Sequence, residues 1–245
     1  EFLRRGIGFY VGGGSSSYAG SPDFRERNIL AAVRQLDQRS LERGAVFNFN
    51  QKIQISQKNG YVPGYVILGG SLSKDIGGGI CQVSTTVWRA AYLAGLPILE
   101  RHQHSYNVAY YSPTGFEATV FAPSKNLRFL NDTPNRLWLQ FEVKRQTQEL
   151  ELHFFGAAPE RQVQISEPRL SNERPAPKDR FVPDPSLDMG EIKIISGAEN
   201  GINVRYMRTV RYNNGQIKRD TTSSSYIPWG AIYAVSPKDK RLKKR

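Results

Sequence analysis

The chain has 245 residues and a formal net charge of +12, and a chain of this length can bury one core of ordinary size and carry a smaller appendage. A hydrophobic fraction of 39% with 12 Tyr, 12 Phe and 3 Trp excludes an intrinsically disordered protein. No apolar run reaches the length of a membrane-spanning helix, and the single cysteine excludes a disulfide within the chain.

The positive charge predicts attraction to polyanions, namely nucleic acid, anionic lipid or the acidic polymers of a bacterial wall. Nucleic acid is not expected as a partner, because the sequence has no helix-turn-helix, zinc-ligand or RNP-like pattern. Much of the excess charge lies in residues 238–245, a basic tail of the kind that is usually solvated. The chain begins at Glu1, so membrane contact is expected only through an upstream signal or anchor.

The N-terminal part predicts a short strand around 8–11 and then a flexible glycine and serine loop at 12–17. Ser21 and Pro22 indicate the start of an amphipathic helix over about 22–38.

Residues 47–50 form a short alternating segment. Residues 61–68, which are followed by Gly69 and Gly70, predict a strand or strand-like loop that leads to the cysteine.

Three consecutive glycines, residues 77–79, precede Cys81 and predict a loop with unusual dihedrals or close backbone approach. Apolar residues then recur at helical spacing until the stop signals Gly95 and Pro97. Cys81 is therefore expected at a helix N-terminus, where the helix dipole lowers the pKa of a thiol. The glycines would leave the sulfur uncrowded and free backbone N–H groups for an oxyanion. The alternative is that Cys81 is a small buried hydrophobic residue.

From residue 96 onward, alternating or β-rich segments predict strands at 97–100, 106–111, 116–121, 127–130, 137–143 and 150–155. Helices followed by antiparallel strands indicate an α+β fold, with the helix that bears the cysteine packed on the sheet. A helical cysteine followed by a histidine on a strand is also the order of papain-like and NlpC/P60 folds, which is an analogy of arrangement only.

Residues 157–188 are rich in proline and charge and predict a linker or an extended wrapping segment. Residues 189–237 predict a small all-β unit with a hairpin turn at 213–215 (Asn-Asn-Gly). Such a unit is small for an independent core, so we expect it to pack on the first domain, residues 1–156, or on a neighbour.

Cysteine catalysis requires a base within hydrogen-bond reach and a third group that orients the base. His102 and His104 lie two residues apart, and Glu117 is a candidate carboxylate to hold an imidazole. His153 alternates with apolar residues and is better explained as part of a sheet. Two histidines and Cys81 make a poor zinc site without further ligands, so we expect no metal or cofactor.

Residues 77–88 (Gly-Gly-Gly-Ile-Cys-Gln-Val-Ser-Thr-Thr-Val-Trp) and 100–105 (Glu-Arg-His-Gln-His-Ser) closely resemble the VanW family of bacterial cell-envelope proteins. The resemblance covers roughly residues 15–155. It implies a peptidoglycan-associated protein of the kind found in glycopeptide-resistance clusters, located outside the cytoplasm, and some members are described as cysteine L,D-transpeptidases unrelated to the YkuD fold.

By this resemblance the nucleophile is Cys81, and the histidine before serine is His104, whereas His102 occupies a more variable place. The family usually has aspartate in a Gly-x-Asp-Ala-Thr-Val motif where this chain has Glu117. Residues 201–228 resemble, over a shorter stretch, the small G5 β module that is often attached to VanW domains and linked to wall or glycan adhesion.

The leading hypothesis is an L,D-transpeptidase in which the Cys81 thiolate attacks a stem peptide, His104 transfers protons and Glu117 orients His104. Residues expected to bind the oxyanion or the substrate are Gly79, Gln82, Ser84, His102, Ser105 and Tyr61, with Tyr65 and Trp88 as further groove candidates. The same site with water as acceptor would be a peptidoglycan peptidase or amidase. A non-catalytic wall-binding protein with a structural cysteine is the third hypothesis.

Overall fold

The computed structural model describes residues 7–68 and 71–243, apart from the side chains of residues 65–68, 71–75, 109 and 243. It is rich in β-structure, with 41% strand and 18% helix, and is of the α+β type. The sheets are antiparallel except for one parallel pair of strands in the C-terminal part.

The α-helices within the described residues are α1 (Asp23–Leu36), α2 (Phe49–Lys52) and α3 (Ile80–Leu93), and 3₁₀ turns span Gln57–Asn59, Ala109–Tyr111 and Lys240–Lys243. The first nine strands are β1 (Phe9–Ser17), β2 (Arg39–Leu41), β3 (Val46–Asn48), β4 (Pro63–Leu68), β5 (Ser71–Ile76), β6 (Ile98–Glu100), β7 (Arg128–Leu130), β8 (Leu137–Lys144) and β9 (Glu149–Gly156). The C-terminal strands are β10 (Arg161–Ile165), β11 (Arg169–Arg174), β12 (Arg180–Pro183), β13 (Ile192–Ser196), β14 (Gly201–Tyr212), β15 (Ile217–Tyr226) and β16 (Ile232–Val235).

The main core lies between the two long helices and the sheet β1-β9-β8-β2. Leu36 of α1 and Val87 of α3 are fully buried with Leu152 and Phe154 of β9. Apolar residues at helical spacing thus meet apolar residues at the alternate positions of a strand, and burying both faces favours this packing. The predicted helix at 22–38 is confirmed as α1, two residues shorter at its C-terminal end.

The glycine and serine stretch at 12–17 is part of β1 and not the flexible loop that the sequence predicted. The reason is the close approach of α3 to this strand. A Cβ on Gly12 would lie 2.8 Å from Cβ of Ala94, and one on Gly14 would lie 2.7 Å from the carbonyl carbon of Arg89. Glycine therefore allows the strand and the helix to touch backbone to backbone.

The segment after β3 differs from the predicted alternating stretch. Residues 47–50 divide into the end of β3 and the start of α2, whose first turn is capped because the amide of Gln51 donates to Oδ1 of Asn48 at 3.2 Å. The predicted strand at 61–68 is β4, and it pairs with β5, which the sequence did not predict. Gly69 and Gly70 lie outside the described residues.

Residues 106–111 and 116–121 were predicted as strands, and this prediction is wrong. They form a long loop with a 3₁₀ turn and isolated bridges, such as the one between His102 and Thr119. Much of the loop's backbone binds side chains instead of a neighbouring strand. The buried guanidinium of Arg89 donates to the carbonyls of Phe116 at 2.9 Å and of Ser112 at 2.8 Å.

The segment 157–188, predicted as a linker or an extended wrapping segment, contains three short strands. Residues 161–165 and 169–174 pair with opposite ends of β14, and β12 pairs in parallel with β16. The prolines fall largely between these short strands, where a missing N–H costs no ladder bond. We call residues 161–235, which comprise β10 to β16, the C-terminal unit.

The C-terminal unit packs on the rest of the chain. Its small core of Val204, Tyr206 and Tyr226 contacts Phe116 of the long loop. The predicted hairpin at 213–215 is confirmed, with Gly215 at φ +86° between β14 and β15.

In the basic tail, Lys238 and Lys240 are exposed, and Arg241 makes local contacts. The guanidinium of Arg241 binds Asp239 at 2.7 Å and lies 5.0 Å from the ring of Phe181. Lys244 and Arg245 lie outside the described residues. In the described part of the chain, no helix combines the length and apolar character needed to cross a membrane.

Candidate active site

The start of α3 presents Cys81. Gly79 caps the helix with φ +112°, and a Cβ there would lie 2.8 Å from the carbonyl oxygen of Arg25, so both conformation and space require glycine. The amides of Ile80 and Gln82 donate to the carbonyls of the glycine loop at 3.2 and 3.0 Å. Cys81 is the second residue of the helix, where amides have no intrahelical acceptor. The predicted position of the cysteine at a helix N-terminus is confirmed.

Three predicted residues come together at this point: Cys81, His104 and Glu117. Nδ1 of His104 lies 2.6 Å from Oε2 of Glu117, which leaves Nε2 free, and His104 and Cys81 line the same cavity. The thiol also contacts Oγ1 of Thr119 at 3.2 Å and the carbonyl of Val120 at 3.6 Å. The sulfur is partly buried and Glu117 is 3% exposed. Cys81, His104 and Glu117 are thus arranged as a nucleophile, a base and an orienting carboxylate would be.

Electrostatics favours the ionised form of all three groups. Burial acts to raise the pKa of Cys81, but the hydrogen bond and charge of His104 outweigh it, so the thiol pKa lies below its ordinary value. Burial acts to lower the pKa of His104, but its bonds to Cys81 and Glu117 raise this pKa to about 9. The pKa of Glu117 is lowered, because His104 and Arg101 overcome the effect of burial. A thiolate and an imidazolium are therefore the favoured pair at neutral pH.

Glu117 is held from several directions. Its Oε1 accepts the backbone N–H of His104 at 3.0 Å and the hydroxyl of Tyr226 at 2.8 Å, and it lies 3.6 Å from the guanidinium of Arg101. The ring of Tyr111 stacks on His104 at 4.8 Å with 17° between the planes. Both the carboxylate and the imidazole are thus fixed in orientation.

Cys81 and His104 open into a cavity of about 390 Å³. Its described lining is mostly apolar and consists of the glycine loop and of side chains from α2, the segment after it and the loop after Thr119. Phe49, Ile53 and Phe121 are among these side chains. A concave apolar pocket with a few convergent polar groups is the usual form of a small-molecule or peptide site.

The comparisons with known proteins identify the family of the chain. The family described as VanW like protein matches residues 24–153, more than half of the chain. The chain belongs to the VanW-like family. An uncharacterized protein of Bacillus subtilis (strain 168), YoaR, is 38% identical over 108 residues, which are 44% of this chain and 35% of YoaR. The chain therefore matches about a third of that relative's length.

Among solved structures, HP0197-G5 is 15% identical and its likeness covers 31% of this chain and 99% of that one, with a TM-score of 0.16. A TM-score this low does not establish a common fold, and the resemblance of the C-terminal unit to a G5 module stays a prediction.

Two residues of the VanW motif on α3 do not have the predicted roles. Gln82 is fully buried, and its amide nitrogen already donates to Oγ of Ser16 at 2.7 Å and to the carbonyl of Ser17 at 3.0 Å, so its side chain is not an oxyanion donor. Ser84 is fully buried and donates to the carbonyl of Ala118 at 2.6 Å. Ser84 therefore holds the segment 117–119 against α3, and it is not among the residues that line the cavity.

Other predicted binding residues of this VanW-family chain also lie elsewhere. Nε2 of His102 pairs with Glu100 at 3.1 Å, and the carbonyl of Ser105 accepts the N–H of Ile227. Tyr61 is buried, and its hydroxyl accepts a hydrogen bond from Gln35. Trp88 is a core residue with no exposure, and the side chain of Tyr65 lies outside the described residues. Gly79 lines the cavity.

Sequence reasoning missed Thr119, Tyr111 and Tyr226. Thr119 follows Glu117 by two positions in the motif, and this spacing alone would have placed both on one side of an extended segment. Tyr111 and Tyr226 carry no local pattern that indicates contact with His104 or Glu117.

Cys81, His102 and His104 do not come together as a group of potential metal ligands. In the part of the chain that the structure describes, one group of three potential ligands comes together, namely Glu142, Glu151 and His153 on the sheet. The ammonium of Lys144 lies 2.6 Å from Glu151. The positive charge that faces these carboxylates therefore comes from a lysine side chain. His153 is a residue of β9, as predicted.

Proposed function

We propose that this protein is a peptidoglycan L,D-transpeptidase that uses Cys81 as its nucleophile. The observation that carries the proposal is that Cys81 and His104 line one cavity and that Nδ1 of His104 lies 2.6 Å from the buried carboxylate of Glu117. VanW family membership supports a role related to the cell wall and to vancomycin resistance. The order of a helical cysteine, a histidine and a carboxylate supports a papain-like arrangement of the site.

In the first half of the reaction, the Cys81 thiolate attacks the carbonyl carbon between an L- and a D-centre of a donor stem peptide. The new C–S bond forms as the carbonyl oxygen takes up negative charge, which the first-turn amide of Cys81 would stabilise. When the C–N bond breaks, the imidazolium of His104 gives its proton to the leaving amine of D-alanine. The product is a thioester and neutral His104.

In the second half, the side-chain amine of an acceptor diaminopimelate attacks the thioester. His104 takes the proton of that amine, the new C–N bond forms, and the C–S bond breaks to release the Cys81 thiolate. Glu117 stabilises the imidazolium at both ends of the cycle. The substrates would be stem peptides outside the cytoplasm in the bacterial cell envelope, and the charge of +12 would favour a location near anionic wall polymers.

The test is incubation of the wild-type protein and Cys81→Ala with tetrapeptide-bearing muropeptides, followed by mass spectrometry of the protein and of the soluble products. We expect an adduct on the wild type and dimers made with loss of D-alanine, and neither with Cys81→Ala. Leu93→Ala is the control variant and should react like the wild type, because it changes an exposed residue at the far end of α3.

Shortened monomers without dimers would instead indicate a peptidase or amidase that uses water at the same site. Dimers that persist in Cys81→Ala would refute the assignment of the nucleophile. A folded wild-type protein with a reduced thiol that gives neither adduct nor product would favour the non-catalytic wall-binding hypothesis.

A further inference from the structure

The C-terminal unit contacts the loops that carry His104 and Glu117. The N–H of Ile227, next to β15, donates to the carbonyl of Ser105 at 2.9 Å, one residue after His104. The hydroxyl of Tyr206 donates to the carbonyl of Thr114 at 2.8 Å, three residues before Glu117. Residues from a distant part of the chain therefore fix both loops.

Arg101 strengthens this connection. Its Nη1 donates to Oγ of Ser224 at 2.9 Å, while Nε donates to the backbone carbonyl of Glu117 at 2.6 Å. The same guanidinium lies 3.6 Å from the carboxylate of Glu117. One side chain thus links β15 to the orienting residue of the candidate site.

Tyr226, the last residue of β15, makes the direct contact. It is 1% exposed, and its hydroxyl donates to Oε1 of Glu117 at 2.8 Å. The other oxygen, Oε2, binds Nδ1 of His104. Oε1 also accepts the backbone N–H of His104 at 3.0 Å, so the hydroxyl of Tyr226 is a second donor to this oxygen and the only one of the two that comes from a side chain.

We propose that Tyr226 is a positioning residue for Glu117, so that the C-terminal unit completes the active site of the VanW-family domain. The inference rests on the proposed function, in which Glu117 orients His104. Tyr226 lies outside residues 24–153, the range of the family match. A site assigned from that range alone would lack one of the hydrogen-bond donors to its carboxylate.

The charged and titratable groups that face Glu117 come from every element around it. His104 and Arg101 belong to the segment after β6, Tyr226 to β15, Arg89 to α3 and Tyr111 to the long loop. Tyr226 stabilises the ionised carboxylate, as do His104 and Arg101. Loss of its hydroxyl therefore raises the pH at which Glu117 takes up a proton.

The test compares the wild type with Tyr226→Phe, which keeps the buried ring and removes only the hydroxyl. The probe is iodoacetamide, and the readout is the rate of alkylation of the single cysteine against pH, followed by intact mass. We expect the acid limb of this profile to move to higher pH by roughly one unit, because protonated Glu117 no longer supports the imidazolium and the thiolate. In the muropeptide assay we expect kcat to fall about tenfold with little change in KM.

Tyr212→Phe is the matched control. Its hydroxyl also bridges the two parts of the chain, at 3.3 Å from Oδ2 of Asp132, but it contacts neither Glu117 nor His104. A Tyr226→Phe profile that overlays the wild type, or an equal shift in Tyr212→Phe, would overturn the proposal. A shift of the alkylation profile in Tyr226→Phe but not in Tyr212→Phe would support the positioning role of Tyr226. If neither the wild type nor any variant joined muropeptides, that result would count against the transpeptidase assignment and not against the positioning role.

Discussion

Replacing Glu117 with glutamine tests the electrostatic basis of the site. The substitution keeps the shape of the side chain and removes the charge that faces Nδ1 of His104 at 2.6 Å. A hydrogen bond to a charged group contributes about 1.5–3 kcal/mol, so the thiolate–imidazolium pair should become roughly 10- to 100-fold less favoured. The pKa of His104 should fall from about 9, and that of Cys81 should rise.

The assay is alkylation of Cys81 by iodoacetamide, which reports the thiolate at one site because the chain has a single cysteine. We expect Glu117→Gln to react about tenfold or more slowly than the wild type near neutral pH. The two rates should converge only at alkaline pH, above the thiol pKa of the variant, because burial raises that pKa once the support of His104 is weakened. Glu151→Gln is the control, because it breaks a histidine–carboxylate contact on the sheet, 3.2 Å from His153. Equal rates for Glu117→Gln and the wild type near neutral pH would refute the reasoning.

Three further predictions follow from the packing and the charges. Gly14→Ala places a Cβ against the backbone of α3 and should lower the free energy of unfolding by about 1–3 kcal/mol, which corresponds to several degrees of melting temperature. Gly197→Ala is the control and should melt like the wild type, because the space around Gly197 is open. His102→Gln should leave alkylation of Cys81 unchanged, because His102 pairs with Glu100, and a marked loss would place it in the site. Acidification below pH 4.5 should lower the melting temperature of the wild type more than that of Glu117→Gln, because the depressed pKa of Glu117 stabilises the fold above that value and loses its effect as the carboxylate is protonated.

Sequence reasoning selected Cys81, His104 and Glu117, which the structure brings together, because each lies in a local pattern. Cys81 follows three glycines and begins a helix, and His104 and Glu117 belong to short motifs of the family. The three glycines disfavour a helix, and the residues after them have apolar side chains at helical spacing. Together these two features were enough to predict a helix N-terminus at Cys81.

What the sequence did not predict depends on contacts between distant segments. The stretch at 12–17 looks flexible until α3 is placed against it, and Tyr226 becomes part of the site only when β15 lies beside the long loop. The segment 157–188 was assigned to a linker because its strands are short and separated by prolines, and their partners in β14 and β16 lie many residues away. Local propensity carries no information about such pairing.

The polar residues of the motif on α3 show why a specific sequence pattern need not mean direct chemistry. A helix buried on nearly every side would ordinarily be apolar, yet the buried side chains of this one include Gln82, Ser84, Thr85, Thr86 and Arg89. Each has a partner that fixes another part of the site.

Gln82 and Thr86 bind β1 through Ser16, which lies 2.6 Å from the hydroxyl of Thr86. Ser84 and Thr85 hold Ala118, the residue between Glu117 and Thr119. A buried donor left without its acceptor costs about 1–3 kcal/mol, so these contacts tie the position of the carboxylate to the helix that carries Cys81. We infer that these contacts keep Glu117 in place relative to Cys81, and that under the proposed function Cys81 is the one of these α3 residues that acts on the substrate.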